Sequence, residues 1–317
     1  MKNKQFSHYD IIGDIHGHAD ALIRLLNKMG YQTNPDGIYA HPDRLAVFLG
    51  DYIDRGPQQS QVVNIVKSMV EYGSALAIMG NHEFNAICYH SSHPETGKPL
   101  RKHNKQTLKQ HQAFLKEYPL AKKDTRAIIN WFKTLPVFIE FDEFRVIHAC
   151  WNETALESIE PLLKTGNRLT QELLLKAGTP DTNEFYAIET LLKGLEIALP
   201  EGNLFYDKDG SPRTHIRVKW WQNDAATYRD YALLPDSSLN DISNMPLAKT
   251  ILKPEYNNAK PVLFGHYWFT GKPQIQKDNV ACLDYSLGNE EKLVCYQWNK
   301  GDKKLSNDQF VIVDHYE

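Results

Sequence analysis

The sequence predicts an α/β fold with parallel strands and crossover helices, on three observations. First, short apolar runs alternate with segments whose apolar residues recur at helical spacing. Second, a glycine-containing polar motif follows each of the first three apolar runs. Third, the 317-residue chain is 42% hydrophobic and 24% charged, which is ordinary for a globular protein that buries a large core. Ligands of such sheets bind beyond the carboxyl ends of the strands, so the motifs are expected to meet at one edge.

The amino-terminal part of the chain predicts two strand–helix units followed by a third strand. Apolar spacing and closing glycines give a strand at 9–12, a helix at 19–29, a strand at 45–49, a helix over 62–70 and a strand at 75–79. A hairpin is expected at 137–141 and 144–147, with later strands at 261–264, 280–283, 292–298 and 310–313.

The chain shows no internal repeat and no long low-complexity linker, which favours one domain over 1–317. Two insertions are expected within it. One, at about 91–127, is basic, because residues 98–126 carry nine Lys or Arg against two Asp or Glu. The other, at about 153–213, has helical patterns. A charge run usually forms a solvated face, but the basic insertion could also steer a phosphorylated substrate.

Composition limits the possible partners and location. A formal net charge of −3 and a pI near 6.5 exclude a protein that is basic overall, so any affinity for polyanions needs a local patch or a metal. Residues 1–10 have no apolar secretion signal and no later run is long enough for a membrane span, so a cytoplasmic protein without a membrane partner is expected. The four cysteines form no CxxC pair and are expected to be free thiols.

The three motifs are GDIHG at 13–17, GDYIDRGP at 50–57 and GNHE at 80–83. Each delivers Asp, His or Asn just after a strand, which predicts a dinuclear metal site. Carboxylates, imidazoles and an amide oxygen suit hard or borderline divalent ions. The expected ligands are Asp14, His16, Asp51, Asn81, His148 and His266, with Asp51 as the bridging carboxylate. Two ions about 3.5 to 4 Å apart are suited to attack on a phosphorus ester.

The remaining polar residues of the motifs predict proton transfer and phosphate binding. His82 directly follows a proposed ligand and is assigned as general acid, with Asp54 as the carboxylate that orients it. Arg55 offers a planar donor fork that could clamp two phosphate oxygens. Aromatic residues at 220–221 and 267–268 could stack on a nucleobase, although large aromatics more often belong to the core.

Taken together, the three motifs resemble the signature of the calcineurin-like metallophosphoesterases, and within them the bacterial phosphoprotein-phosphatase type. VIHA at 146–149 and FGH at 264–266 are similar to two later histidine motifs of that family. The resemblance implies a four-layer α/β/β/α sandwich and two divalent ions, with manganese expected and iron, zinc or a mixture as alternatives. Met79 stands where many members have an arginine. Arg217 is the candidate for a second phosphate-binding arginine.

The expected activity is hydrolysis of phosphomonoesters, as a Ser/Thr-type or nucleotide phosphatase, through a hydroxide that bridges the two metals. The substrate would be a phosphorylated small molecule, nucleotide or phosphoprotein. The alternatives are hydrolysis of symmetrical dinucleoside polyphosphates and end-processing of nucleic acids as a phosphatase or phosphodiesterase. An inactive phosphate-binding scaffold is a remote alternative, because every expected site position is filled.

Overall fold

The structure is a computed structural model that describes residues 6–315 except 207–211, 235, 243, 252, 254–255 and 257–259. The ends of the predicted 1–317 domain and part of the predicted 153–213 insertion therefore lie outside the described residues. The strands are β1 His8–Ile12, β2 Gln32–Thr33, β3 Tyr39–Ala40, β4 Arg44–Phe48, β5 Ala75–Ala77, β6 Phe138–Glu140, β7 Arg145–Ile147, β8 Leu163–Lys164, β9 Arg168–Leu169, β10 Glu196–Ala198, β11 Phe205–Tyr206, β12 Pro212–Arg213, β13 His215–Arg217, β14 Val262–Phe264, β15 Val280–Cys282, β16 Asp284–Tyr285, β17 Lys292–Trp298 and β18 Phe310–Asp314.

The helices are α1 Ala19–Lys28, α2 Gln59–Tyr72, α3 Asn81–His90, α4 Lys105–Glu117, α5 Lys123–Phe132, α6 Glu153–Ile159, α7 Gln171–Ala177, α8 Asn183–Lys193, α9 Tyr228–Tyr231 and α10 Asp236–Leu239, with short 3₁₀ turns at Glu160–Leu162, Leu287–Asn289 and Asn307–Gln309. Helix α2 ends at Gly73, whose φ of 85° lies in the left-handed region that glycine adopts without strain. Gly73 is the closing glycine expected after the predicted helix over 62–70.

Two sheets carry the fold. The larger has the order β16–β17–β1–β4–β5, with β18 also paired to β17. Strands β1, β4 and β5 are parallel, as the strand–helix units predict, whereas β17 runs antiparallel to β1. The smaller sheet has the order β15–β14–β7–β6, and its β6–β7 pair is the predicted hairpin. Both sheets are therefore mixed. In the larger sheet the late strands β16, β17 and β18 pair antiparallel, whereas in the smaller sheet β14 is parallel to β7 and β15 and only the β6–β7 hairpin is antiparallel.

Alternation along the strands shows how the two sheets pack. In β1, Ile11 lies in an apolar cluster with Val146 and Leu263 of the smaller sheet. Its neighbour Ile12 lies in a second cluster with Leu22 of α1. Because successive side chains of a strand point to opposite faces, each sheet buries one face against the other sheet and the other face against helices. This arrangement is the predicted four-layer α/β/β/α sandwich.

The two predicted insertions differ in character from one another. Residues 91–127 contain α4 and the start of α5, so the predicted boundary at 127 falls inside a helix. Residues 153–213 contain α6, α7 and α8 but also the short antiparallel ribbons β8–β9 and β11–β12. They also contain β10, which pairs with β13 just beyond residue 213. Glycines and prolines between the helical segments break the helical pattern, which is why the region is not entirely helical.

Candidate active site

The predicted ligands come together at the carboxyl ends of strands from both sheets. Asp14 and His16 follow β1, Asp51 follows β4, and Asn81 begins α3 after β5. From the smaller sheet, His148 follows β7 and His266 follows β14. All six are buried, with at most 7% of their surface exposed. Residues that are distant in the chain thus form one polar centre between the two sheets.

Two groups of ligand atoms share the Asp51 carboxylate. His148, His266 and Asp51 form one group, and His16, His82 and Asp51 form the other, with the ligand atoms of each group within 4.8 Å of one another. His148 Nε2 lies 3.3 Å from Asp51 Oδ1, and His16 Nε2 lies 3.7 Å from Asp51 Oδ2. The two oxygens of one carboxylate therefore face two different sets of nitrogens, as expected of a residue that bridges two ions.

Asn81 and Asp14 lie at the same centre. Asn81 Oδ1 is 3.0 Å from His148 Nε2 and 2.8 Å from His266 Nδ1. Asp14 Oδ2 accepts a hydrogen bond from the His266 amide at 3.1 Å. The second group of ligand atoms contains His82 where the sequence predicts Asp14, although Asp14 is close enough to Asp51 for their charges to interact.

Unpartnered buried atoms show that this centre fits a cation. Asp14 Oδ1, His16 Nε2 and His266 Nε2 are buried without a hydrogen-bond partner among the described residues. Buried polar atoms are normally paired, and an unmet carboxylate or imidazole atom is a ready metal ligand. The divalent ions implied by the sequence fit these donors, with no residue of the centre needing to be replaced.

The electrostatics of the centre also favour the binding of cations. Burial, and then repulsion from Asp284 and Asp51, raises the pKa of Asp14 well above its usual range. Burial lowers the pKa of His16 to about 3 and also lowers that of His266, so both imidazoles are neutral and free to bind a metal. Several buried carboxylates that repel one another are stabilised by bound cations.

Unusual backbone angles aim the ligands. His16, Asp51 and His266 have φ values of 48°, 51° and 74°, in the left-handed region that side chains other than glycine seldom occupy. Such strain is typical of functional sites. The backbone of Gly265 also approaches the Asp14 carboxylate closely, because a Cβ at position 265 would collide with Asp14 Oδ1. The glycine of that motif is therefore required by packing against a ligand.

His82 and Asp54 form a hydrogen-bonded pair beside the metal centre. His82 Nδ1 lies 2.6 Å from Asp54 Oδ2, and His82 Nε2 lies 3.9 Å from Asp51 Oδ2. Burial lowers the pKa of His82, but the carboxylates of Asp51 and Asp54 outweigh it and leave the pKa raised. The imidazolium is therefore favoured, with one nitrogen held by Asp54 and the other directed at the centre.

Arg55 is held beside the centre by an aromatic ring. Its guanidinium carbon lies 4.0 Å from the centroid of the Trp268 ring, and the Trp268 ring lies 5.8 Å from that of His16. Asp284 positions this tryptophan, because its carboxylate accepts the Trp268 amide at 2.8 Å and the Ser286 amide at 3.0 Å. Asp284 follows a predicted strand, and that placement is the signal by which the sequence could have revealed it.

Glu83 supports the backbone of the second motif and is not itself a predicted metal ligand. Its carboxylate accepts the backbone amides of Asp51 at 2.8 Å, Tyr52 at 2.9 Å and Gly80 at 3.0 Å. A single buried side chain therefore joins the turns of the second and third motifs. Its role was not predicted, because the sequence shows only a glutamate in the first turn of a helix.

The centre opens into a polar cleft of about 690 Å³. Basic residues from four parts of the chain line it. They are Arg55, Arg101, Lys109, Lys193 and Arg217. Arg217, the predicted second phosphate ligand, lies 3.5 Å from Glu196 and lowers the pKa of His266 in addition to the effect of burial. The basic insertion thus faces the centre through α4.

The remaining predicted features divide between core and site. Trp220 and Trp221 are buried in the apolar core, as expected of large aromatics, whereas Trp268 lines the cleft. The four cysteines are free and buried, as the absence of a CxxC pair predicts. Among the residues that the structure describes, no helix has both the length and the apolar character to cross a membrane.

One residue that contacts the site was not predicted at all. His111, on α4, lies 2.9 Å from Asp54 Oδ1 through its Nδ1 and is almost fully buried. In the sequence it is one polar residue in a basic segment, 57 positions from Asp54. Only the packing of α4 brings the two together.

The chain belongs to the calcineurin-like phosphoesterase family, whose sequence profile matches residues 8–266. This match confirms the family resemblance and the metallophosphoesterase fold, and it agrees with the expected class of hydrolases that act on phosphoester bonds. Membership of this family is also consistent with the two groups of histidine and aspartate side chains that could hold metal ions.

Two curated relatives illustrate the range of similarity. The symmetrical bis(5'-nucleosyl)-tetraphosphatase of Hamiltonella defensa is 26% identical over 300 residues, which cover 90% of this chain and 93% of that protein. The asymmetrical bis(5'-nucleosyl)-tetraphosphatase PrpE of Halalkalibacterium halodurans is 47% identical over 75 residues, which cover 23% of this chain and 30% of that protein. The chain thus spans less than a third of the length of the PrpE relatives that it matches.

Solved structures show likeness of fold. A protein serine/threonine phosphatase from Saccharomyces cerevisiae aligns with a TM-score of 0.51 at 15% identity, covering 97% of this chain and 79% of that chain. A cold-active protein tyrosine phosphatase also aligns with a TM-score of 0.51 at 16% identity, covering 98% of this chain and 77% of that chain. At these identities the likeness concerns the fold alone.

Proposed function

We propose that this protein hydrolyses phosphomonoesters with the aid of two divalent metal ions. The observation that carries the proposal is the His82–Asp54 pair, whose free imidazole nitrogen faces the shared carboxylate of Asp51 at 3.9 Å. A general acid held next to the proposed metal ligands is placed where it could protonate the oxygen that leaves phosphorus.

The ligands of the two ions would be the six residues predicted from the sequence. They are Asp14, His16, Asp51, Asn81, His148 and His266. When bound, such ions supply an activated water and neutralise the charge of the phosphoryl oxygens. Manganese is the metal we propose to supply first, because it suits the carboxylate and amide oxygens of the set, and iron and zinc, which suit the imidazoles, are the next to supply.

The protein's own groups would bind and protonate the substrate. The Arg55 guanidinium, braced against Trp268, would donate to two phosphoryl oxygens and favour the more highly charged transition state. His82 would donate its Nε2 proton to the departing oxygen while Asp54 holds Nδ1. Arg217, which also lines the cleft, would act as a second phosphate ligand.

Release of p-nitrophenol from p-nitrophenyl phosphate tests the proposal, with Mn²⁺ supplied and the bound metal measured. We expect turnover by the wild-type protein, loss of both metal and turnover in Asp51→Asn, and loss of turnover alone in His82→Asn. Full activity in either variant would contradict the assignment. Failure to hydrolyse generic phosphoesters with several metals would instead favour the inactive phosphate-binding scaffold.

A second candidate is hydrolysis of a dinucleoside polyphosphate. It is favoured by the number of basic groups that line the cleft, which include Arg101 and Lys109 of the basic insertion. A single phosphate needs few cationic contacts, whereas a polyphosphate chain would use several. The relative from Hamiltonella defensa, which matches over nearly the whole of both chains, bears the name of such an enzyme. Comparing diadenosine tetraphosphate, a phosphopeptide and a 3'-phosphorylated oligonucleotide would separate the candidates, including end-processing of nucleic acid.

We also propose a cytoplasmic location. The support is that all four cysteines are free and buried, as is usual where thiols are kept reduced. Fractionation of the source cells with an antibody against the protein tests it, and recovery in a secreted or membrane fraction would contradict it.

A further inference from the structure

We propose that His111, which lies in the basic insertion, is a positioning residue that fixes the His82–Asp54 pair for proton donation. The proposal rests on the proposed function and adds a role for α4. Nothing in the three sequence motifs assigns such a role, because His111 lies outside all of them.

The Asp54 carboxylate has one imidazole on each oxygen. Oδ2 accepts from His82 Nδ1 at 2.6 Å, and Oδ1 accepts from His111 Nδ1 at 2.9 Å. Asp54 and His111 are 2% and 1% exposed, so water does not compete for these bonds. With both oxygens held, the carboxylate cannot rotate away from His82 without breaking a buried hydrogen bond.

The protonation of Asp54 agrees with this arrangement. Burial raises the pKa of Asp54, but hydrogen bonds from His111 and His82 outweigh it and leave the pKa well below its usual range. An ionised carboxylate accepts hydrogen bonds and donates none. Both imidazoles must therefore donate from Nδ1, which also fixes the face that His82 turns towards the centre.

The His111 ring is also held on the side that faces away from Asp54. Its ring stacks on Phe114, with centroids 4.8 Å apart and planes 20° from parallel. Its Nε2 lies 3.2 Å from His90 Nε2 on α3. Burial, and then His111, lowers the pKa of His90 to about 4, so His90 is neutral at neutral pH. The imidazole of His111 therefore has a single orientation, towards Asp54.

The same helix also fixes the backbone of Asp54. At the end of α4, Glu117 accepts the amides of Gln59 and Ser60, both at 2.8 Å. The side-chain oxygen of Gln59 in turn accepts the Asp54 amide at 2.6 Å. Helix α4 thus reaches Asp54 by two routes, through its side chain by His111 and through its main chain by Gln59.

A purely structural role for His111, in which it only packs α4 onto the core, is the alternative. The two roles differ in which substrates they affect. A misplaced general acid slows the loss of poor leaving groups more than good ones, because a good leaving group departs without a proton. A general loss of folding or packing lowers activity on all substrates equally.

The test therefore compares His111→Phe with His111→Gln on two substrates. Phenylalanine keeps the ring that stacks on Phe114 but removes the donor, whereas glutamine keeps a donor. We expect His111→Phe to lower kcat on phenyl phosphate by about tenfold, with a smaller loss on p-nitrophenyl phosphate and unchanged KM and metal content. His111→Gln should recover part of the loss. An equal loss on both substrates, or none, would overturn the proposal.

His103→Phe is the matched control, because His103 lies in the same insertion and bonds to the Tyr89 carbonyl rather than to Asp54. A readout without turnover is the imidazole N–H resonance of His82 in zinc-loaded protein. It should be sharp in the wild type and in His103→Phe but broadened in His111→Phe. An unchanged resonance in His111→Phe would overturn the role of His111 even if no phosphoester proves to be a substrate.

Discussion

His82 Nδ1 and Asp54 Oδ2 are 2.6 Å apart, and this hydrogen bond turns the other nitrogen of His82 towards the Asp51 carboxylate. The pair comes from two different motifs, since Asp54 follows β4 and His82 lies in the first turn of α3. The geometry thus separates two proposed tasks of the site, because the His82–Asp54 pair is distinct from the six residues proposed to hold cations.

The first prediction concerns His82 itself. His82→Asn should lower kcat for phenyl phosphate by about 100-fold or more, because general acid catalysis typically contributes at least that much. The metal content should stay at the wild-type value, because the His82 imidazole is bonded to Asp54 and is not one of the proposed metal ligands. Steady-state kinetics and metal analysis of the same preparation check both statements. Loss of metal together with activity would show instead that His82 is a ligand.

The second prediction is a shift in pH dependence. Asp54 and Asp51 raise the pKa of His82 against the effect of burial. Asp54→Asn removes one of these negative charges, so the pKa of His82 should fall and the proton should be lost at lower pH. The basic limb of the kcat profile should therefore move to lower pH.

Asp36→Asn on an exposed turn is the control for this shift, and its profile should match that of the wild type. A basic limb that stays in place in Asp54→Asn would mean that another group supplies the proton.

The third prediction concerns stability away from the site. Asp10 is fully buried and accepts bonds from Arg44 at 2.7 Å and from Tyr31 and Gln297 at 2.9 Å each. Arg44→Met leaves this carboxylate without its cation and should lower the free energy of unfolding by about 3 to 5 kcal/mol. Urea unfolding measures the change.

Lys67→Met is the matched control, because it breaks an exposed pair with Glu71 on α2. It should cost less than about 1 kcal/mol. In the double variant, Asp10→Asn should restore part of the stability that Arg44→Met loses. A loss in Arg44→Met no larger than that of the control would show that the buried pair adds little.

The sequence predicts the part of the site that local patterns can encode. Each motif combines a strand, a tight turn and a ligand, and all three signals stand within a few residues of one another, as with Asp51 beside Gly50. The strands and helices that carry the motifs follow the predicted periodicity closely. The family resemblance then supplies the four-layer arrangement, which periodicity alone does not determine.

The unpredicted residues act across long separations. His111 carries no local signal and Asp284 carries only its place after a predicted strand. Each acquires its role when packing places it against Asp54 or Trp268. The antiparallel pairing of β17 is likewise non-local, because register depends on neighbours that the strand meets after folding. Local patterns therefore predict ligands better than they predict the groups that support them.

The fourth prediction concerns the bridging ligand. Asp51 faces His148 with one oxygen and His16 with the other, so Asp51→Asn weakens both ion sites at once. Metal content should fall to below half of the wild-type value, and turnover should fall with it. Metal analysis after gel filtration checks this, with Asp36→Asn as control. Chelator treatment of the wild type should abolish turnover, and Mn²⁺ should restore it.

The fifth prediction tests the basic wall of the cleft. Lys109 lines the cleft from α4, and Lys105 lies on the same helix outside it. If a polyphosphate chain extends along this wall, Lys109→Ala should raise KM for diadenosine tetraphosphate by about tenfold, the equivalent of one charge-assisted hydrogen bond. KM for p-nitrophenyl phosphate should not change, because its single phosphate is bound at the metal centre. Lys105→Ala should alter neither value, and an equal effect of the two lysine variants would indicate general steering by charge rather than a contact in the cleft.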